Sequence, residues 1–217
     1  FAAEASYHYH NERVEVAATL FITTHSNLST VVRYYDDMAS TMANAVVCDM
    51  GILNFGAEAS AKVRWMNKLQ SSFVLTAAQY RYARNANIMC YADADNRLIA
   101  NTTSYIKGYH TSNPEITLYG DIEFRPKGSW MARLAVSYWG MRYVEPSFIR
   151  RSERITLHAP SKEEYDALMS QRRLKDAALV DVYVAKPFEF QNDLSLRLQL
   201  SVNNLPGSNV VYRSYEQ

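Results

Sequence analysis

The chain is short of the residues that punctuate or staple small folds: 7 Gly, 6 Pro and 2 Cys in 217 residues. So few spacer residues, with 48% hydrophobic content, exclude a disordered or low-complexity segment. It also lacks an excess of either charge. The 23 Lys and Arg against 22 Asp and Glu leave no basic surplus to release counterions from nucleic acid, so no nucleic-acid partner is expected. No apolar run reaches the roughly 18 residues of a spanning helix. Even Asn44 to Phe55 is interrupted by Asp49 and Asn54. The first residue is Phe1, with no basic and apolar leader behind it, so a signal peptide is expected to be cleaved or to lie upstream. Cys48 and Cys90 have neither metal-ligand nor redox-motif spacing, which leaves one disulfide or two unrelated buried thiols. A mean hydropathy of −0.28 gives no hint of a membrane.

What the sequence does have is a period of two. In 56–65 the odd positions are Ala57, Ala59, Ala61, Val63 and Trp65, and the even ones include Glu58, Ser60, Lys62 and Arg64. In 194–203, Leu194, Leu196, Leu198, Leu200 and Val202 alternate with Ser195, Arg197, Gln199, Ser201 and Asn203. Successive side chains of a strand point to opposite faces, so each segment is a strand with one apolar and one polar face. The rule fits six further segments. Ala3, Ala5, Tyr7 and Tyr9 oppose Glu4, Ser6, His8 and His10. Val14, Val16, Ala18, Leu20 and Ile22 oppose Glu15, Ala17, Thr19 and Thr23, with Phe21 a misfit. Val74, Thr76, Ala78, Tyr80 and Tyr82 are read as the outward set against Phe73, Leu75, Gln79 and Arg81. The others run near 117–125, 130–138 and 180–184. Eight strands of about nine or ten residues exceed the five or six usual in soluble sheets.

The connections alternate strictly in length. Short links at 11–13, 66–72, 126–129 and 189–193 separate long ones at 25–55, 83–116, 139–178 and from 204 onward. Tight turns on one rim and long loops on the other, with apolar faces outward, describe an antiparallel up-and-down transmembrane β-barrel. Averaging a polar lumen with an apolar wall hides the membrane in the mean hydropathy. Trp65, Trp130, Tyr138, Tyr80, Tyr82, Tyr7 and Tyr9 near strand ends supply interfacial girdles. A soluble β-sandwich or lipocalin-like barrel also alternates, but Ala57, Ala59 and Ala61 are thin for its core. In the third long link, Ser161 to Glu164 forms a capping box, predicting a loop helix over about 162–174.

No catalytic constellation is present: GxSxG, HExxH, P-loop and GxGxxG patterns are all missing, and no cofactor is implied. His8 and His10 read as lumen-facing polar residues, because two imidazoles without a third ligand make a poor metal site. Asp93, Asp95 and Asn96 lack the Gly and closing Glu of a calcium loop. Glu163, Glu164 and Asp166 lie on the expected surface helix, on its solvated face. Tyr34, Tyr35, Asp36 and Asp37 are the candidate substrate-binding residues. An aromatic platform with carboxylates suits a polar solute, although Tyr-Asp clusters also simply order loops.

Several stretches resemble the C-terminal part of the barrel of TonB-dependent outer-membrane receptors of the Bacteroidetes type. They are Val32 to Asp37, Phe55 to Ala59, Asn113 to Glu115, Trp130 to Tyr143, Leu179 to Val182, Leu198 to Leu205 and Ser214 to Gln217. The resemblance implies a barrel of about 22 strands, an N-terminal plug and a TonB box. It implies import of a siderophore, glycan or similar small solute, driven through the TonB energy-transducing complex, and no enzymatic activity. Outer-membrane lipid is an implied partner, with a surface lipoprotein as a further one. The chain shows neither plug nor TonB box, so 1–217 is expected to be a C-terminal portion of the barrel without the plug or the final strand. Glu58, Lys62, Arg64, Asp121, Glu123, Arg133, Asp181 and Arg197 are expected to line the lumen. The rival reading is a small self-contained outer-membrane barrel, an adhesin or barrel enzyme, which requires the first strand to bond to the last.

Overall fold

The computed structural model describes residues 1–190, 194–211, 214 and 216. In chain order the strands are β1 (Ala2–His10), β2 (Val14–Asp36), β3 (Thr41–Met66), β4 (Leu69–Tyr82), β5 (Ala86–Ala92), β6 (Leu98–Ser104), β7 (Ile116–Phe124), β8 (Met131–Gly140) and β9 (Arg142–Tyr143). Helices α1 (Glu153–Thr156) and α2 (Lys162–Met169) follow, then β10 (Arg173–Leu174), β11 (Ala177–Glu189) and β12 (Ser195–Val202).

The eight strands expected from alternation are the eight that form the sheet path β1-β2-β3-β4-β7-β8-β11-β12. Every adjacent pair on it is antiparallel. Among the described residues β1 bonds only to β2 and β12 only to β11, so the sheet is open. The contact that a self-contained eight-stranded barrel requires, β1 against β12, is not made.

Directly opposed residues share a face, so the register sorts the whole wall. One face carries Ile22, Leu20 and Val16 of β2, then Phe55 to Val63 in odd steps on β3, Leu118, Ile122 and Phe124 on β7, and Leu134 and Val136 on β8. It continues through Val180, Val182 and Val184 to Leu200 and Val202. Near the tight turns it carries Tyr9, Trp65, Phe124 and Trp130. The opposite face carries Glu58, Lys62, Asp121, Glu123, Arg133, Asp181 and Arg197, and it is cross-linked between strands. Arg133 donates to Asp121 at 2.9 Å, Tyr119 donates to the same carboxylate at 2.8 Å, and Arg197 donates to Tyr183 at 2.9 Å.

β4 corrects the sequence reading. Ala57, Ala59 and Ala61 oppose Ala77, Leu75 and Phe73, whereas Glu58 opposes Thr76 and Asn54 opposes Tyr80. The outward set is therefore Phe73, Leu75 and Ala77. Val74, Thr76, Ala78, Tyr80 and Tyr82 face inward, so Tyr80 and Tyr82 are not girdle residues. Both faces of β4 are largely apolar, so alternation alone does not choose between them. The misfit Phe21 has a structural reason: it faces inward directly opposite Gly56. A Cβ on Gly56 would lie 2.4 Å from Ala78 Cβ and 2.5 Å from the Ala77 carbonyl oxygen. The glycine lets two strands approach, and the aromatic ring covers the gap.

The long links are not loose loops. The first, 25–55, is mostly strand: β2 and β3 run on together and turn only at 37–40. Asp36 lies about 40 Å of strand beyond Thr23, far past the nine to eleven residues that cross a bilayer. Register shifts fall between His25 and Leu28, between Leu28 and Thr30, and on β3 between Met50 and Val47. Asn27 and Asp49 have φ of 57° and 59° there, a conformation Asn and Asp tolerate. These bulges exchange parity on both strands together, so the inner face passes smoothly from Ile52 and Met50 to Val47 and Ala45. The second link supplies β5 and β6, with β5 paired to β3. The third supplies α1, α2 and the small β9–β10 ribbon. α2 begins as expected, with Ser161 accepting from the Glu164 N–H at 3.2 Å. It ends at Met169, not near 174, because Arg173 and Leu174 pair with β9.

Together these links enclose the buried core. Ala45, Val47, Met50, Tyr82, Ala86, Ile88, Cys90 and Ile106 form it, with Val32, Tyr34, Tyr109 and Phe148 packed against it. Cys90 is buried here and Cys48 is half-buried; both are free thiols. Among the described residues no helix is long and apolar enough to cross a membrane.

Candidate functional site at the rim of long connections

Two adjoining clefts open where the β2–β3 extension leaves the wall. One, about 620 Å³, is lined by Val32, Arg33, Met50, Tyr82, Glu145 and Phe148 among others. The other, about 510 Å³, is lined by His25, Asn54, Tyr82, Thr111, Ser112 and Glu145 among others. Ile52, Tyr82 and Glu145 belong to both, so these residues form a shared wall. Tyr82 is buried at 5% exposure, stands edge-on to Phe148 with ring centroids 5.8 Å apart, and donates its hydroxyl to Glu145 Oε1. The backbone N–H of Ser112 donates to Glu145 Oε2 at 2.9 Å.

The loops around this mouth are locked by polar contacts. Arg151, fully buried, donates to both carboxylate oxygens of Glu216 and to the Ser170 carbonyl, and its guanidinium lies 4.6 Å over the Tyr109 ring. His110 stacks on Tyr143 at 3.8 Å and meets Glu115 through Nδ1 at 2.6 Å. Gln171 bonds the His110 and Val144 carbonyls at 2.7 and 2.9 Å.

All four candidate residues, Tyr34, Tyr35, Asp36 and Asp37, line a third cleft of about 260 Å³ farther out. They do not act as one cluster. Tyr34 and Asp36 face inward and are consumed: Tyr34 donates to Asp36 at 2.9 Å, and Arg154 clamps Asp36 at 2.5 and 3.1 Å. Burial opposes ionisation of Asp36, but the Arg154 guanidinium, the Ala39 N–H and the Tyr34 hydroxyl outweigh it and hold the carboxyl below its ordinary pKa. Burial, with Cys90 and Asp36 beside it, pushes the Tyr34 phenol up. Tyr35 is 55% exposed and Asp37 sits in the turn. The Asp93 carboxylate of the outer loop accepts from Asn44 at 2.8 Å and Arg33 at 2.5 Å, which fastens that loop to the extension.

Sequence reasoning misses Tyr82, Glu145, Asn54, Thr111 and Arg154. Only Asn54 and Tyr82 lie in strands whose parity could place them on the inner face. Glu145 and Thr111 sit in links with no periodic signal at all.

The family profile described as TonB dependent receptor-like, beta-barrel, matches residues 2–205. The chain belongs to that family. TonB-dependent receptors are outer-membrane transport proteins and not an enzyme family. Neither the curated proteins nor the solved structures yield a match to the chain.

Proposed function

We propose that this chain is the C-terminal part of the barrel wall of a TonB-dependent transporter in the bacterial outer membrane, importing a siderophore, glycan or similar small solute. The observation that carries the reading is the unbroken two-faced wall of eight spanning strands, crowned on one rim by a packed cap with clefts at its base. Its two free edges cannot remain unpaired in lipid, so further strands of the same barrel continue them. Glu58 and Lys62 make no ion pair among the described residues, whereas Asp121 and Glu123 pair within the wall. Free charges of both signs on the lumen face suit contact with a movable plug. Energy enters through the TonB complex, which engages a region outside this chain. Tyr35 and Asp37 are the proposed solute contacts at the tip, and a surface lipoprotein is the proposed lid over the cap.

The test is uptake by whole cells carrying the intact receptor, with TonB present, with TonB deleted, and with the proton gradient collapsed. Import should stop in the second and third cases. Uptake that persists without TonB refutes the reading.

A further inference from the structure

Resting on the transporter reading, we propose that the shared wall of the two mouth clefts binds the protonated amine of an imported solute, with Glu145 as its counter-ion. Glu145 lines both clefts and is half-buried. No Lys, Arg or His stands within 4 Å of its carboxylate among the described residues. Its two oxygens each accept one neutral hydrogen bond, from the Tyr82 hydroxyl and the Ser112 N–H. Those bonds fix its orientation and leave each oxygen a free lone pair.

Among the described residues, the one Lys or Arg that lines the larger cleft is already paired. Arg33, in the lining of the larger cleft, pairs with Asp93 at 2.5 Å. Arg151, behind it, is held by Glu216. Among the described residues, His25 is the sole basic residue lining the smaller cleft. A half-buried carboxylate without a counter-charge is costly, and an incoming ammonium that bonds it recovers that cost. The rest of the wall agrees. The Asn54 amide oxygen and the Thr111 hydroxyl, both in lining residues, are buried with no hydrogen-bond partner among the described residues. The Tyr82 ring adds an aromatic neighbour, which a cation prefers over an anion. A ligand presenting a carboxylate or phosphate to this wall would meet Glu145, with no unpaired Lys or Arg among the described lining residues.

The experiment is calorimetric titration of the detergent-purified receptor with glucosamine, N-acetylglucosamine and glucose. These probes share a ring and differ in the charge and substitution at one carbon. Glucosamine should bind saturably and at least about tenfold more tightly than the two neutral sugars, the worth of one charge-assisted hydrogen bond. Glu145→Gln keeps an acceptor for Tyr82 and should erase that preference. Asn54→Asp adds a second carboxylate to the same wall and should tighten glucosamine binding, which guards against a Glu145 variant that merely misfolds. Equal binding of all three sugars, no binding of glucosamine, or an unchanged preference in Glu145→Gln would each overturn the proposal. None of these titrations depends on TonB. Failure of the transport reading appears in cellular uptake, and failure of the amine site appears here.

Discussion

Asp36 and Arg154 stand 118 positions apart in sequence, yet the guanidinium grips both carboxylate oxygens, at 2.5 and 3.1 Å. Asp36 is only 4% exposed, and it ties the tip of the β2–β3 extension to α1, at the far side of the cap. Tyr34 and the Ala39 N–H complete its shell. The first and third long links are thereby one body, with the β5–β6 hairpin packed between them.

Breaking this clamp should loosen the cap and spare the wall. Arg154→Ala leaves a buried carboxylate without its charge partner, costing about 3 kcal/mol of cap stability. Hydrogen exchange should rise in 30–45 and 150–157, while the spanning strands keep their protection. Loss of protection across β7 and β8 as well would show that cap and wall unfold as one unit.

The same pair sets an acid limit. The folded-state pKa of Asp36 lies below its ordinary 3.8, so the unfolded chain takes up the proton first and stability rises with pH through that window. The contribution is fully present above about pH 5 and is lost as pH falls through the lowered pKa. Limited proteolysis of the cap between pH 7 and pH 3 should show accelerated cleavage only at the acid end. Asp36→Asn should flatten that profile, at the cost of lower stability at neutral pH.

The spanning wall was legible because its two faces differ: Leu194 to Val202 and Ala57 to Trp65 alternate without error. Where both faces are apolar, as in 73–78, periodicity cannot choose. Only the partners decide, through Ala59 against Leu75 and Glu58 against Thr76. The cap reads as loops in the sequence because bulges at Asn27 and Asp49 reset the parity halfway along β2 and β3. A sequence pattern that changes phase looks aperiodic, although the hydrogen-bonded ladder continues. Tyr34 to Asp37 was visible as a cluster, but its partner Arg154 is a long-range contact that no local pattern signals. Glu145 is hidden for the same reason.

Gly56 should tolerate no side chain. Gly56→Ala places a Cβ against the Ala78 Cβ, the Ala78 Cα and the Ala77 carbonyl, all within 2.5 Å, and should cost about 1–3 kcal/mol. Adding Ala78→Gly removes only one of the three obstacles, so the double variant should stay destabilised. Urea midpoints of the refolded receptor in detergent measure this. Full rescue by Ala78→Gly would mean that the backbone is free to separate.

Leu134 stands midway between Trp130 and Tyr138 on the outward face, in one row with Ile122 and Val182. Leu134→Arg should cost about 2–4 kcal/mol as a midplane charge in lipid. Ser137→Arg, on the lumen face of the same strand, should cost far less. Folding yields into liposomes, followed by gel mobility without boiling, separate the two. Equal yields would contradict the assignment of faces.

The face of β4 is the sharpest test, because the residue pattern and the register disagree there. With Leu75 opposite Ala59 and Leu118, a spin label at Leu75→Cys should be relaxed by oxygen dissolved in the bilayer. A label at Thr76→Cys, opposite Glu58 and Thr117, should instead respond to a water-soluble nickel chelate. Cys48 and Cys90 are replaced by Ser beforehand, so that only the new thiol is labelled. The reverse pattern would shift β4 by one residue against both neighbours, bring Tyr80 and Tyr82 out to the lipid, and dismantle the Tyr82–Glu145 contact at the mouth.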